Sequence, residues 1–97
     1  IPSSVETIDY YAFVNNKLTT VKFEEGSKLK KIGDYTFKNN QLTNSGLGKL
    51  PSSLTSLSTT AFSDNSNLTQ ITLTSVTDID GWTNGSTVDG KTVVYER

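Results

Sequence analysis

The chain has 97 residues, 33% of them hydrophobic, and a net charge of −1; this suffices for one domain with a modest core and is too little for a scaffold carrying a buried catalytic cleft. Cysteine and histidine are both absent, which excludes disulfides, thiol catalysis and zinc–thiolate sites and removes the commonest general base and transition-metal ligand. Nine basic and ten acidic residues are interspersed, so no one-sign surface points to nucleic acid, and no stretch reaches the ~18 apolar residues of a membrane span.

Ile1-Pro2-Ser3-Ser4 opens the chain as a corner, since proline restricts φ and cannot donate to a ladder. With neither an initiating Met nor a signal peptide, the chain reads as a monomeric piece of a longer, processed protein. Val5 to Ile8 is expected to be extended, Tyr10 to Phe13 to make a turn or one helical turn, and Asn16 to satisfy backbone groups in a tight turn. Leu18 to Phe23 alternates apolar and polar residues like a half-buried strand. Glu24 and Glu25 would diverge on an extended chain, so they form no acid pair, and the basic run Lys28-Leu29-Lys30-Lys31 reads as a solvated face.

The same order then returns. Leu29 to Ile32 matches Val5 to Ile8, Thr36-Phe37 matches Ala12-Phe13, Asn40 matches Asn16, and Leu42 to Leu47 matches Leu18 to Phe23. Ser45, Gly46 and Gly48 weaken this last strand, where a bulge or local bend is expected. After the corner Leu50-Pro51-Ser52-Ser53, a third copy runs through Leu54 to Leu57, Ala61-Phe62, Asn65 and Leu68 to Leu73, so that Ser45-x-Leu47 aligns with Ile71-x-Leu73. Phe13 to Phe37 spans 24 residues and Phe37 to Phe62 spans 25, a period typical of leucine-rich-type arrays. The expected fold is a mainly β repeat solenoid in which stacked coils place Phe over Phe and Ile over Ile, with units 1–23, 24–47 and 48–73.

The period stops at Leu73, and residues 77–97 are expected to cap the repeats of 1–76. Asp78-x-Asp80-Gly81 lacks the further acidic ligands of a calcium loop and reads as a turn. Trp82 is placed over the open end of the stack. Val88 to Tyr95 reads as a hairpin about Asp89-Gly90. Asn67-Leu68-Thr69 and Asn84-Gly85-Ser86 are glycosylation sequons, irrelevant if the source is bacterial.

With this register in place, the chain resembles the BspA-like (Treponema pallidum-type) leucine-rich repeats of bacterial surface proteins. The matching residues are Ile1-Pro2-Ser3-Ser4-Val5-x-x-Ile8-x-x-Tyr11-Ala12-Phe13-x-x-Asn16-x-Leu18-Thr19-x-Val21-x-Phe23, again from Leu50 to Leu73, and more weakly from Leu29 to Leu47. Where many members carry Cys at the turn after Ala-Phe, this chain has Asn16, Asn40 and Asn65. The resemblance implies a right-handed solenoid, an extracellular or cell-surface setting and a role in adhesion; it carries no catalytic motif and does not identify a ligand.

No serine or threonine has a basic partner at motif spacing, so no enzyme, cofactor or metal site is expected. Two functions remain: binding of a host or neighbouring-cell surface protein, or a spacer that supports another domain. Binding would use the outward residues of the alternating segment, Thr20, Lys22, Asn44, Gln70 and Thr72. These are small and mostly uncharged, unlike the aromatic- and Arg-rich centres of tight interfaces.

Overall fold

Three two-residue strands recur one repeat apart in the computed structural model, which describes residues 1–97: β1 (Thr7–Ile8), β2 (Lys31–Ile32) and β3 (Ser56–Leu57). They pair in parallel in the order β1-β2-β3, with Thr7 opposite Lys31 and Lys31 opposite Ser56, and with Ile8 opposite Ile32 and Ile32 opposite Leu57. The first residue of each strand is exposed and the second is buried, the alternation a pleated chain produces. Parallel partners must be joined by a long connection, and here a whole repeat supplies it.

The phenylalanines form the column expected from their spacing. The Phe13 and Phe37 rings stack with centroids 5.4 Å apart and planes 4° from parallel, and Phe37 and Phe62 at 5.5 Å and 3°. Phe37 and Phe62 are buried, whereas Phe13 is half-buried. The asparagines form a second column. Asn40 donates from Nδ2 to the carbonyls of Phe13 and Phe37, both at 2.9 Å, and accepts at Oδ1 from the N–H groups of Asn16 (3.0 Å) and Leu18 (2.9 Å). Asn65 repeats this one coil on, donating to Phe37 and Phe62 and accepting from Leu42. One side chain thus ties two coils together and satisfies turn groups that burial would otherwise leave unpaired. Thr36, which replaces the Ala of the other copies, is buried with its hydroxyl donating to the carbonyls of Asp9 and Gly33.

The middle repeat departs from expectation. In place of a strand with a bulge or bend, residues 44–47 form a single helical turn, α1 (Asn44–Leu47), with Thr43 as its N-cap accepting from the Gly46 N–H and Gly48 at φ 64° closing it. Gly46 is required here because a Cβ would lie 2.1 Å from the Thr19 carbonyl oxygen. The turn takes up residues and shifts the rung that follows. Lys49, rather than Gly46, stands opposite Thr72, and the Leu50 N–H donates to the Thr72 carbonyl at 2.9 Å. Leu18 to Phe23 likewise forms no strand; beside it lies α1, which offers Val21 a single backbone bond, from its N–H to the Gly46 carbonyl.

The third alternating segment does form a strand, β4 (Gln70–Leu73), because it has a full partner in β6 (Lys91–Tyr95). Gln70 pairs with Thr92 and Leu73 with Tyr95, in parallel, while β5 (Thr87–Val88) returns antiparallel on the far side of β6. The β5–β6 hairpin turns at Asp89-Gly90, both at positive φ (49° and 78°), the geometry of a type I′ turn. β6 is therefore a further parallel rung of the column, which a period ending at Leu73 does not anticipate. The chain is a repeat fold of short strands and turns with one helical turn.

The sheet β1-β2-β3 ends at β3, where Trp82 closes it. The indole is 1% exposed, and its Nε1–H donates to the Leu57 carbonyl at 2.8 Å, the bond a fourth strand would otherwise make. Tyr95 fixes this arrangement, its hydroxyl donating to the Trp82 carbonyl (2.6 Å) and accepting from the Ile79 N–H (2.8 Å). Asp78 pairs with Arg97, whose guanidinium also lies 4.2 Å from the Tyr95 ring centroid. No helix is long and apolar enough to cross a membrane.

Candidate interaction surface

The five outward residues named from the sequence separate into two groups. Thr20, Lys22 and Gln70 are exposed. Thr72 is not outward: it is only 9% exposed, with its hydroxyl accepting from Gln70 Nε2 at 3.1 Å. The cause is β4, which lies between Lys49 on one side and β6 on the other. Asn44 reaches the surface, but its amide is committed to the next coil. Its Oδ1 accepts from the N–H groups of Thr69 (2.9 Å) and Gln70 (3.1 Å), and its Nδ2 donates to Thr69 Oγ1 (2.9 Å). The helical turn places Asn44 there to satisfy the start of β4. Thr20, Lys22 and Gln70 are left as the part of this face open to a partner.

A second surface carries the large exposed side chains. Tyr10 is 65% and Tyr11 52% exposed. The Tyr11 ring stacks on Tyr35 with centroids 5.3 Å apart, Tyr10 meets Tyr11 edge-on at 6.3 Å, and the Lys38 ammonium lies 4.9 Å from the Tyr35 centroid. Tyr11 and Tyr35 both hold positive φ, 60° and 55°, a conformation bulky residues seldom take. In the first repeat Tyr11, Asn15 and Lys17 hold positive φ, and every second N–H, from Tyr11, Phe13 and Asn15, points to a carbonyl of the next coil. Tyr11 is held by this cross-coil ladder, and Tyr10 by its N–H donating to the Asp9 carboxylate. Tyr10-Tyr11, with Tyr35 one period later, was the sequence signal for this surface, since exposed aromatics are what binding centres favour.

Beside Tyr10 a shallow groove of about 430 Å³ runs over the outer side of β2 and β3, with Lys31, Asp34, Ser58 and Asp80 along it. Asp34 accepts from the Ser58 hydroxyl. The chain's ion pairs are Lys49–Glu96, Lys91–Asp89 and Arg97–Asp78, so the groove carboxylates have no cationic partner of their own. At the opposite corner the exposed Glu24 carboxylate accepts from the Ser3 N–H at 3.0 Å. That bond, with the Ser3 side chain beside it, holds its pKa below the usual carboxylate value. No group of three or more acidic, His or Cys side chains is arranged to hold a metal ion.

A family model described as a BspA type leucine rich repeat region (6 copies) matches residues 1–92, which extends past Leu73 into the rung formed by β6. No match was found among curated proteins or among solved structures. The column of phenylalanines, the asparagine ladder and the strands paired one repeat apart are the physical form of that match, which spans nearly the whole chain, and the chain belongs to the BspA-type leucine-rich repeat family.

Proposed function

We propose that this chain is a non-catalytic interaction module of a bacterial cell-surface or secreted protein, built as a right-handed solenoid and binding a protein on a host or neighbouring cell. Right-handedness follows the rule for parallel strands joined by a crossover. The observation that carries the reading is the division of side chains: the hydrogen-bonding and apolar groups of each coil are used between coils. What remains outside is an extended surface of tyrosines, short polar residues and interspersed charges, suited to a partner larger than a metabolite. The groove residues include no His or Cys, and the one hydroxyl bonded to a carboxylate, Ser58 on Asp34, has no His or Lys base beside it at motif spacing.

Beads coated with the purified chain should attach to intact cells of a binding host, and protease treatment of those cells should abolish attachment. Attachment that survives the protease rules out a protein partner. A spacer role is the second reading, favoured by the internal use of Asn44 and Thr72. It prevails if the beads do not attach and the parent protein adheres equally well without this segment.

A further inference from the structure

We infer that the surface at Tyr10, Tyr11 and the adjoining groove receives a basic, extended segment of the partner protein, with an Arg or Lys side chain against the tyrosine rings and the groove carboxylates. This deepens the interaction-module reading and rests on it. Three observations converge. Tyr10 and Tyr11 are the most exposed aromatic rings of the chain, and the first of them forms the wall of the groove. The tyrosine strip already holds one cation, Lys38 over Tyr35, within the ~6 Å at which an ammonium is attracted to a ring face. Asp34 and Asp80 line the same groove and pair with no Lys or Arg of the chain, against the single ammonium of Lys31.

Each observation contributes to one recognition chemistry. A guanidinium or ammonium is drawn to a π face and to a carboxylate, and a groove offering both selects it over an acidic group. The groove is open to solvent, as an extended segment requires, and its floor is formed by the paired strands β2 and β3. Asp34 is oriented by the Ser58 hydroxyl at one oxygen, which leaves the other oxygen for the ligand. Strand-face residues Thr20 and Gln70 offer neither a ring nor a charge.

The probe is a hexa-arginine peptide, with hexa-glutamate and chitotriose as comparison ligands, titrated into the intact 97-residue chain while ring and amide resonances are followed. Hexa-arginine should shift the Tyr10 and Tyr11 ring signals, and its affinity should fall as salt is raised. The double change Tyr10→Ala with Asp34→Asn should weaken binding about tenfold or more, whereas Tyr10→Phe, which keeps the ring, should stay within about twofold. Both positions are exposed, so unchanged melting of the variants confirms that the fold is intact. If binding is indifferent to the double change, or if chitotriose rather than hexa-arginine moves the tyrosine rings, the inference is overturned. In the bead experiment, attachment that survives Tyr10→Ala/Asp34→Asn but is lost in Thr20→Glu/Lys22→Glu/Gln70→Glu overturns this surface and leaves the module reading standing. Absence of attachment by the unaltered chain overturns the module reading itself.

Discussion

The two ends of the stack are built from the same repeat and finished differently. In the first coil of these 97 residues, Ile1, Val5, Phe13, Leu18 and Phe23 are only partly buried, and the Asn16 amide donates to its own turn, at Val14. At the last, Phe62, Leu68, Ile71 and Leu73 are buried, the final strand carbonyl is taken by the Trp82 indole, and β6 covers the edge of β4. Equivalent residues therefore contribute unequally. A side chain's worth in such a stack is set by whether a neighbour lies on each side of it.

The largest effect should come from removing the finished end. Deleting residues 77–97 exposes the apolar side of the third coil, and the truncated chain should aggregate in sedimentation and lose its cooperative transition. Trp82→Ala alone should cost ~3–5 kcal/mol in denaturant unfolding, the range for a buried aromatic. A truncated chain that stays monomeric and equally stable would show that these residues are dispensable to the stack.

The phenylalanine column makes the comparison within one residue type. Phe37→Ala should also cost ~3–5 kcal/mol, with neighbours lost on both faces of the ring. Phe13→Ala, open on one side, should cost about 1–2 kcal/mol. Equal losses would mean that the end of the stack is as well supported as its middle.

The asparagines sharpen it further. Asn40→Ala strands the Asn16 and Leu18 N–H groups and the Phe13 carbonyl, and should cost about 1–3 kcal/mol. Asn16→Ala loses only the local bond to Val14 and should stay within ~0.5 kcal/mol. Thermal melts of the two variants measure the difference.

The smallest effect concerns pH. Glu24 is held below the ordinary carboxylate value chiefly by the Ser3 N–H, so the folded state binds its proton less readily than the unfolded chain does. Its contribution is present above the unfolded pKa and is lost as pH falls through the depressed folded value. In an NMR titration Glu24 should ionise below the ordinary carboxylate value, and Glu24→Gln should remove the corresponding part of the acid dependence of stability.

The columns were legible in the sequence because each needs one residue type at one spacing: Phe13, Phe37 and Phe62, or Asn40 and Asn65. Trp82 was legible because an open apolar end requires a large cover. The helical turn at Asn44–Leu47 was not, although its signs were present. Thr43 is a good N-cap, and Gly46 lies where only a residue without Cβ clears the Thr19 carbonyl. Local capping prevailed there over the alternation expected from the neighbouring repeats. The rung at Lys91–Tyr95 was hidden because Thr92-Val93-Val94-Tyr95 returns 22 residues after Gln70-Ile71-Thr72-Leu73 without the Ala-Phe mark between them. Of the site, Thr20, Lys22 and Gln70 could be placed outside by alternation. The burial of Thr72 and the use of Asn44 depended on the shifted rung, which no local pattern encodes.

The most direct measurement of the difference between the two ends is native-state hydrogen exchange at paired amides of successive coils. The Phe37 N–H donates to Ala61 and the Leu42 N–H to Asn65, as those of Phe13 and Leu18 do to Thr36 and Asn40. The bonds are alike and only the neighbours differ. Phe37 and Leu42 should exchange about tenfold or more slowly than Phe13 and Leu18, respectively, because the first coil opens without the rest. Equal protection in the two coils, or greater protection in the first, would contradict an account in which a coil's stability is set by the neighbours on each side of it.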